Sequence, residues 1–269
     1  MTFIDIGANL SNTQFKGDLD IVLNNAFKAK VEKIILTTVD TSSFIKNIEL
    51  CNQQHQVELY TTWGVHPHNA KYLKDFIKST NQVFSEESKK IKALGEFGLD
   101  FFRMISSKEE QEYAMNYFMN FAKNVNLPLF LHERGAHDSF ISILKEHSVS
   151  NKSVVHCFTG NKKEVKSYLD LGMYIGITGW ICDERRNQEL IEAIQYIPND
   201  LLMIETDSPY LKPRAIKNKS IRNEPSFIAP ILEKICEIKN VNIEFLSETI
   251  YNNTVEFFKL NSLEKKLKL

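Results

Sequence analysis

Long apolar segments, cysteine pairs and a glycine-rich phosphate loop are missing from this sequence, and each absence excludes a class of protein. No apolar stretch is long enough to span a bilayer. The four cysteines are scattered and contain no CxxC pair, so neither a disulfide framework nor a zinc ribbon is expected. The first residues lack the basic and apolar regions of a signal peptide. The sequence therefore predicts a cytoplasmic protein with no membrane association.

A strong net charge is missing as well, because 33 basic and 34 acidic residues give a formal net charge of −1. Proteins that coat long nucleic acids are usually strongly basic. Any contact with nucleic acid should therefore be confined to a local cleft. Arginine is scarce and lysine is the common cation, so the positions of the six arginines are informative.

Short apolar runs rich in β-formers alternate with amphipathic stretches along the chain. Eight such alternations predict a single (β/α)8 TIM barrel over residues 1–269, since eight parallel strands close into a barrel. An open doubly wound sheet is the alternative, but the first strand ends Gly7-Ala8-Asn9-Leu10 without the GxGxxG turn of that fold. The predicted strands are Phe3–Leu10, Lys33–Thr38, Leu59–Val65, Ile91–Glu96, Pro128–His132, Ser153–Cys157, Met173–Thr178 and Leu202–Thr206. Helical periodicity indicates helices over Asp18–Ala29, Glu109–Asn124, His137–His147, Glu164–Leu171, Pro225–Ile238 and Ile243–Leu260.

Histidine, glutamate or aspartate follows five of the predicted strands, where barrel enzymes carry their chemistry. Imidazole and carboxylate groups are ligands for divalent cations, so this pattern predicts a metal site at the mouth of the barrel. One histidine at a strand end is more often structural, and a buried Glu96 could instead pair with lysine. The prediction therefore rests on the whole set, which comprises His66, His68, Glu96, Asp100, His132, His156, Glu205 and Asp207.

All six arginines follow predicted strands, on the same side of the barrel. The bidentate guanidinium suits phosphate, although ion pairs with Asp183, Glu184 or Glu224 would also explain several of them. Aromatic residues accompany the arginines and could stack on unpaired bases, or could simply pack at the rim. The arginines are Arg103, Arg134, Arg185, Arg186, Arg214 and Arg222, and the aromatics are Phe101, Phe102, Phe158, Trp180 and Tyr210.

Several of these segments resemble the TatD family of metal-dependent deoxyribonucleases, which belongs to the amidohydrolase-like barrels. The segments span the chain: Gly64-Val65-His66-Pro67-His68, Gly95-Glu96-Phe97-Gly98-Leu99-Asp100, Val155-His156-Cys157-Phe158-Thr159-Gly160, Ile204-Glu205-Thr206-Asp207-Ser208-Pro209-Tyr210-Leu211 and Arg222-Asn223-Glu224-Pro225. The resemblance implies that Glu96, His132 and His156 bind a metal and that Asp207 is a further ligand or the base. It implies Mg²⁺ as the ion, with Mn²⁺ and Zn²⁺ as alternatives.

The first strand departs from the family pattern. Most members carry Asp-x-His-x-His there, whereas this chain has Asp5, Gly7 and Asn9. The departure implies one well-formed metal site instead of two, and it resembles the bacterial 3′–5′ exonuclease subgroup. A second departure places Glu133 and Gly135 where cysteine and aspartate are common.

The resemblance implies a monomeric 3′–5′ exonuclease that acts on single-stranded DNA, with RNA as an additional substrate, in DNA repair or nucleic-acid turnover. It implies catalytic roles for Asp207, Glu96 and Glu205, with Glu205 at the rim or behind the ligands. The alternatives are a small-molecule hydrolase such as an amidase, deaminase or ester deacylase, and a non-catalytic accessory to protein export. The expected substrate-binding residues are His66, His68, Arg134, Trp180, Arg185, Arg186 and Arg222.

Overall fold

Eight parallel strands, each hydrogen-bonded to the next in chain order, form the sheet of the protein in a computed structural model. The structure describes residues 1–148, 152–218 and 220–260. The strands are β1 Phe3–Ala8, β2 Val31–Leu36, β3 Glu58–Trp63, β4 Ile91–Asp100, β5 Leu129–Arg134, β6 Ser153–Val155, β7 Tyr174–Ile177 and β8 Leu202–Ile204.

The barrel closes where the segment after β8 meets β1. The Asn9 amide donates to the Ser208 carbonyl at 2.7 Å, and the Asp207 amide donates to the Gly7 carbonyl at 2.8 Å. The buried Asp5 carboxylate strengthens this seam, since it accepts from the Thr206 amide at 2.9 Å and from the Thr206 hydroxyl at 2.5 Å. The predicted (β/α)8 barrel is therefore confirmed.

Helices cover the outside of the barrel in alternation with the strands. They are α1 Leu19–Lys28, α2 Thr41–Cys51, α3 Leu73–Glu86, α4 Lys108–Ala122, α5 His137–His147, α6 Lys162–Leu169, α7 Gln188–Ile194, α8 Ala229–Lys239 and α9 Ile243–Phe257. The sequence patterns did not single out α2, α3 or α7. None of the helices in the described part of the chain has the length and apolar character that a bilayer span requires.

β4 runs four residues past its predicted end at Glu96, because its last residues pair with β5 as far as Asp100 opposite Arg134. Gly98 lies opposite His132, and a β-carbon on Gly98 would lie 1.9 Å from the His132 carbonyl oxygen. Only glycine permits this close approach of the two strands. The long β4 thus delivers both Glu96 and Asp100 to the mouth beside His132.

The barrel interior is apolar at its amino-terminal end. α9 closes that end with Phe257, and the following residues Phe258 and Leu260 complete the plug. The inward side chains that meet this plug are Ile4, Ile6, Ile35, Ala93, Phe130, Val154 and Met203. A larger apolar layer lies between the strands and the surrounding helices. Polar side chains are therefore concentrated at the opposite, carboxyl-terminal mouth.

Candidate metal centre

Glu96 is the hub of a polar cluster at the mouth of the barrel. It is 4% exposed, and its Oε1 lies 2.7 Å from His132 Nδ1 and 2.7 Å from His156 Nε2. The third imidazole belongs to His66, whose Nε2 is 3.3 Å from the same oxygen. Strands β3 to β6 end side by side, which is why residues that are far apart in the sequence converge on one carboxylate oxygen.

The cluster carries the charge pattern of a cation site. Burial acts to raise the pKa of Glu96, but the His156 and His66 imidazoles and a hydrogen bond from His132 outweigh it and hold that pKa well below its usual range. Burial likewise acts to lower the pKa of His156, yet Glu96 and Glu205 raise it well above its ordinary value. Burial lowers the pKa of His66 to about 3. The cluster thus holds an ionised carboxylate among imidazole nitrogens, which are the donor types that a divalent cation uses.

The donor set also fits a metal ion. His66, Glu96 and His132 each offer a ligand atom, and these atoms lie within 4.8 Å of one another. His156 Nε2 faces the same carboxylate oxygen and completes a set of nitrogen and oxygen donors. Such mixed sets bind Zn²⁺ and Mn²⁺, and Mg²⁺ when water or phosphate supplies further oxygens.

Asp207 stands at the end of β8 in a left-handed backbone conformation with φ of 51°. The Asn9 amide group donates to Asp207 Oδ1 at 2.9 Å. Burial raises the pKa of Asp207 to about 8, and the charges of Glu96 and Glu205 act in the same direction. Asn9, which replaces a histidine of the usual family pattern, thus orients the carboxylate expected to act as ligand or base.

Glu205 lies beneath the cluster instead of at the rim, where one expectation placed it. It is fully buried, accepts from the Cys157 amide at 2.5 Å, and its Oε2 lies 3.3 Å from His156 Nδ1. A β-carbon on Gly7 would lie 2.2 Å from Glu205 Oε2. Glycine in the first strand therefore leaves the room in which Glu205 supports His156.

Asp100 is a further buried carboxylate at the mouth, and it belongs to the set of strand-end residues from which the metal site was predicted. Its Oδ2 lies 2.8 Å from His68 Nε2 and 3.6 Å from His132 Nε2. Its Oδ1 accepts from the amides of Phe102 and Arg103 at 3.1 and 2.8 Å. Burial opposes ionisation, but the neighbouring His132 and His68 imidazoles prevail and lower the Asp100 pKa.

Gln111 of α4 fixes Asp100 from behind. The Gln111 side chain accepts from the Asp100 amide at 2.7 Å and donates to the Asp100 carbonyl at 3.1 Å. It also donates to the Ser106 carbonyl at 2.9 Å, while the Ser106 hydroxyl donates to the His68 carbonyl at 3.0 Å. Gln111 and Ser106 therefore fix the backbone of Asp100 and His68 at the mouth.

The arginines expected to bind substrate fall into different environments. Arg134 lies 4.2 Å from the centre of the Phe102 ring, and Arg186 lies 3.7 Å from that of Trp180. Arg185 and Arg186 both pair with Asp183, as one interpretation of the sequence allowed. Arg222 is engaged by both Asp18 and Glu224 and is only 17% exposed. That double pairing favours a structural role for Arg222.

Known proteins are similar to this chain in sequence and in fold. A sequence model of the family described as "TatD related DNase" matches residues 4–259. A protein of Erwinia tasmaniensis named "3'-5' ssDNA/RNA exonuclease TatD" is 41% identical over 252 residues, covering 92% of this chain and 96% of its own. One of the same name from Pantoea ananatis is 38% identical and covers 95% and 99%.

Solved structures agree with the sequence relatives. A hydrolase TatD family protein from Entamoeba histolytica superimposes with a TM-score of 0.89 at 30% identity, covering 96% of this chain and 98% of its own. A TatD homologue from Escherichia coli gives 0.86 at 28% identity with the same coverage. The family match extends over nearly the whole chain and includes every residue of the cluster around Glu96. This chain belongs to the family of TatD-related DNases.

Proposed function

We propose that this protein is a metal-dependent 3′–5′ exonuclease that hydrolyses phosphodiester bonds of single-stranded DNA and RNA. The observation that carries the proposal is the buried Glu96 carboxylate surrounded by three imidazoles at the mouth of the barrel. Relatives that align over nearly the full chain are named for this activity. A small-molecule hydrolase gains no support from those relatives.

The metal ligands of the proposed enzyme are Glu96, His132 through Nδ1, His156 through Nε2, and Asp207. Mg²⁺ is the proposed ion. When bound, such an ion polarises the scissile phosphate and lowers the pKa of a bound water.

The side chains around that position bind, orient and move protons. Asp207, oriented by Asn9, accepts the proton of the attacking water. Glu205 holds the His156 ring from its Nδ1 side, and Asp100 holds the rings of His68 and His132 from their Nε2 sides. Carboxylates of this kind orient histidine ligands and raise their basicity. His66 and His68 contact the terminal phosphate or sugar.

The single-stranded nucleic acid binds at the rim of the mouth. Arg134 over Phe102 and Arg186 over Trp180 present cations and rings together. Unpaired bases stack on such surfaces, and phosphates pair with the guanidinium groups. A barrel mouth that admits a strand end favours exonuclease over endonuclease cleavage.

The decisive experiment is hydrolysis of a 5′-labelled single-stranded oligonucleotide, with Mg²⁺ and with a chelator, resolved as a product ladder. A Mg²⁺-dependent ladder that shortens from the 3′ end is expected. Glu96→Gln should abolish it, while Glu189→Gln on the outer helix α7 serves as the matched carboxylate control. Absence of cleavage by wild-type protein with bound metal would refute the proposal.

We further propose that the enzyme acts as a monomer in the cytoplasm, in DNA repair or nucleic-acid turnover. The four cysteines are free thiols, which suits a reducing compartment. Cell fractionation would test the location, and light scattering would test the oligomeric state.

A further inference from the structure

A second charged cluster lies on the loops that follow β7 and β8, apart from the residues around Glu96. Asp183 is its centre and is 4% exposed. Arg185 binds Asp183 in a bidentate manner, with Nε at 2.8 Å and Nη2 at 2.7 Å. Arg186 Nε lies 2.9 Å from the same carboxylate, and Arg214 Nη1 lies 3.3 Å from it. Arg185, Arg186 and Arg214 are called the arginine cluster below.

The arginine cluster has more positive charge than its carboxylate can neutralise. One aspartate offsets one guanidinium, so three arginines around Asp183 leave a surplus of two charges. The contacts of Arg186 and Arg214 with Asp183 involve Nε and Nη1 only, although each guanidinium carries five N–H donors. The side chains of Arg185, Arg186 and Arg214 are 68%, 49% and 54% exposed, so an anion from solvent can reach them.

The loops beneath the cluster are held in place. The Trp180 indole donates to the Arg186 carbonyl at 3.3 Å, and the Arg186 guanidinium lies 3.7 Å from the centre of the Trp180 ring. A β-carbon on Gly179 would lie 2.1 Å from the Leu211 carbonyl oxygen, which shows how closely the two loops approach. The guanidiniums are thus arranged before any anion arrives, which reduces the entropy lost on binding.

Arg222 provides the contrast. Two carboxylates, Asp18 and Glu224, pair with this one guanidinium. The net charge of that pairing is negative, and it cannot attract an anion. Unlike that pairing, the arginine cluster keeps a surplus of positive charge, in a protein whose formal net charge is −1.

We propose that Asp183 organises Arg185, Arg186 and Arg214 into a binding site for the backbone phosphates of the single strand, on the 5′ side of the bond that is cut. The proposal rests on the proposed nuclease function and deepens it. Loops after strands seven and eight are a frequent place for phosphate binding in this type of barrel. Asp183 is a positioning residue here, and Arg214 is a new contributor to the site.

The test measures binding of a fluorescein-labelled single strand of about 12 nucleotides by anisotropy, with chelator present so that the strand is not consumed. Replacing two arginines, in Arg186→Ala/Arg214→Ala, should weaken binding about tenfold or more and should lower the slope of log affinity against log salt by about 1.4. Lys78→Ala on the outer helix α3 is the matched control and should change neither quantity. Arg214→Lys should preserve the salt slope, because it keeps the charge.

Asp183→Asn separates an organised site from diffuse charge. This variant makes the protein more positive, so a diffuse electrostatic effect would tighten binding. Loss of the organising carboxylate should instead weaken binding at least about threefold. Circular dichroism and thermal melting of each variant would establish that the barrel remains folded.

The outcomes distinguish this proposal from the nuclease proposal. Unchanged affinity and salt slope in Arg186→Ala/Arg214→Ala, or tighter binding by Asp183→Asn, would overturn the phosphate site even if wild-type protein cuts DNA. If wild-type protein binds the strand through these arginines but never cuts it with Mg²⁺, the site stands and the nuclease proposal fails.

Discussion

The two ends of the barrel are built from the same eight strands but contain opposite chemistry. The amino-terminal end is filled by apolar side chains and sealed by Phe257, Phe258 and Leu260. The carboxyl-terminal mouth gathers buried carboxylates, imidazoles and arginines. Stability is concentrated at one end and chemistry at the other, so a substitution can alter one without the other, as is usual for this architecture.

Both ends of the barrel contain residues in left-handed backbone conformations, and at the amino-terminal end these include Lys30 and Lys259 with φ of 66° and 50°. Cys157 and Asp207 at the mouth adopt left-handed conformations with φ of 49° and 51°. Non-glycine residues in such conformations cost on the order of 1 kcal/mol or more each. The mouth also buries several charges close together. The apolar amino-terminal end of the barrel contributes the stability that offsets these costs.

The largest effect is expected from a substitution that disables the carboxyl-terminal mouth alone. Glu96→Gln should reduce hydrolysis by at least about 10³-fold, because it removes the carboxylate that faces three imidazoles. The melting temperature should fall only modestly, since the substitution removes the pairing of the ionised carboxylate with the imidazoles but leaves the apolar end intact. Hydrolysis rates and thermal melts would be compared with those of Glu189→Gln. A large loss of stability with little loss of rate would contradict the division of roles.

The converse change disables the apolar amino-terminal end alone. Phe257→Ala removes a nearly fully buried ring and should lower the free energy of unfolding by about 3–5 kcal/mol. The rate of hydrolysis per folded molecule should stay near that of wild type, because Phe257 lies at the opposite end from Glu96. Urea unfolding and initial rates at low temperature measure the two quantities. Loss of rate in proportion to loss of stability would show that the ends are coupled.

The buried Asp5 at the seam between β1 and β8 should make the stability of the protein depend on pH. Burial raises the pKa of Asp5 to about 7, above its ordinary value of 3.8. Between pH 4 and 7 the unfolded chain therefore loses a proton that the folded chain retains, and stability should fall as pH rises through this window. Asp5→Asn has no such proton, so its stability relative to wild type should increase over that range by at most about 4 kcal/mol.

Urea unfolding of both proteins at several pH values would check this prediction. The asparagine keeps an acceptor for the Thr206 and Gly7 amides, which makes it a conservative replacement. A difference in stability that is constant from pH 4 to 8 would mean that Asp5 is ionised throughout.

The smallest expected effect concerns Asp100, which faces the proposed metal ligand His132 and also contacts His68. Asp100→Asn should weaken Mn²⁺ binding by about 10–100-fold, as loss of a carboxylate behind a histidine ligand usually does. Calorimetric titration measures the affinity, and nitrogen-15 shifts of the histidine rings report the tautomers. Asp138→Asn, on the exposed start of α5, is the control. Unchanged affinity and ring shifts would remove Asp100 from the proposed site.

Sequence patterns predicted the fold and the neighbourhood of the site well. Alternating strands and helices are local signals, and in a barrel every strand delivers its last residues to the same end. His66, Glu96, His132 and His156 could therefore be grouped before any coordinates were known. Their chemical roles remain predictions. The helices α2, α3 and α7 were not identified, although α3 has a clear amphipathic pattern that buries Leu73, Phe76 and Thr80.

Only the tertiary structure decided what each side chain at the mouth touches. Asn9 meets Asp207 and Asp18 meets Arg222 across about 200 positions of the chain. The place of Glu205 beneath His156 depends on the space that Gly7 leaves on another strand. Local periodicity determines which face of a strand a residue occupies. Partners brought together by the closure of the barrel determine whether its charge is buried, paired or available to a ligand.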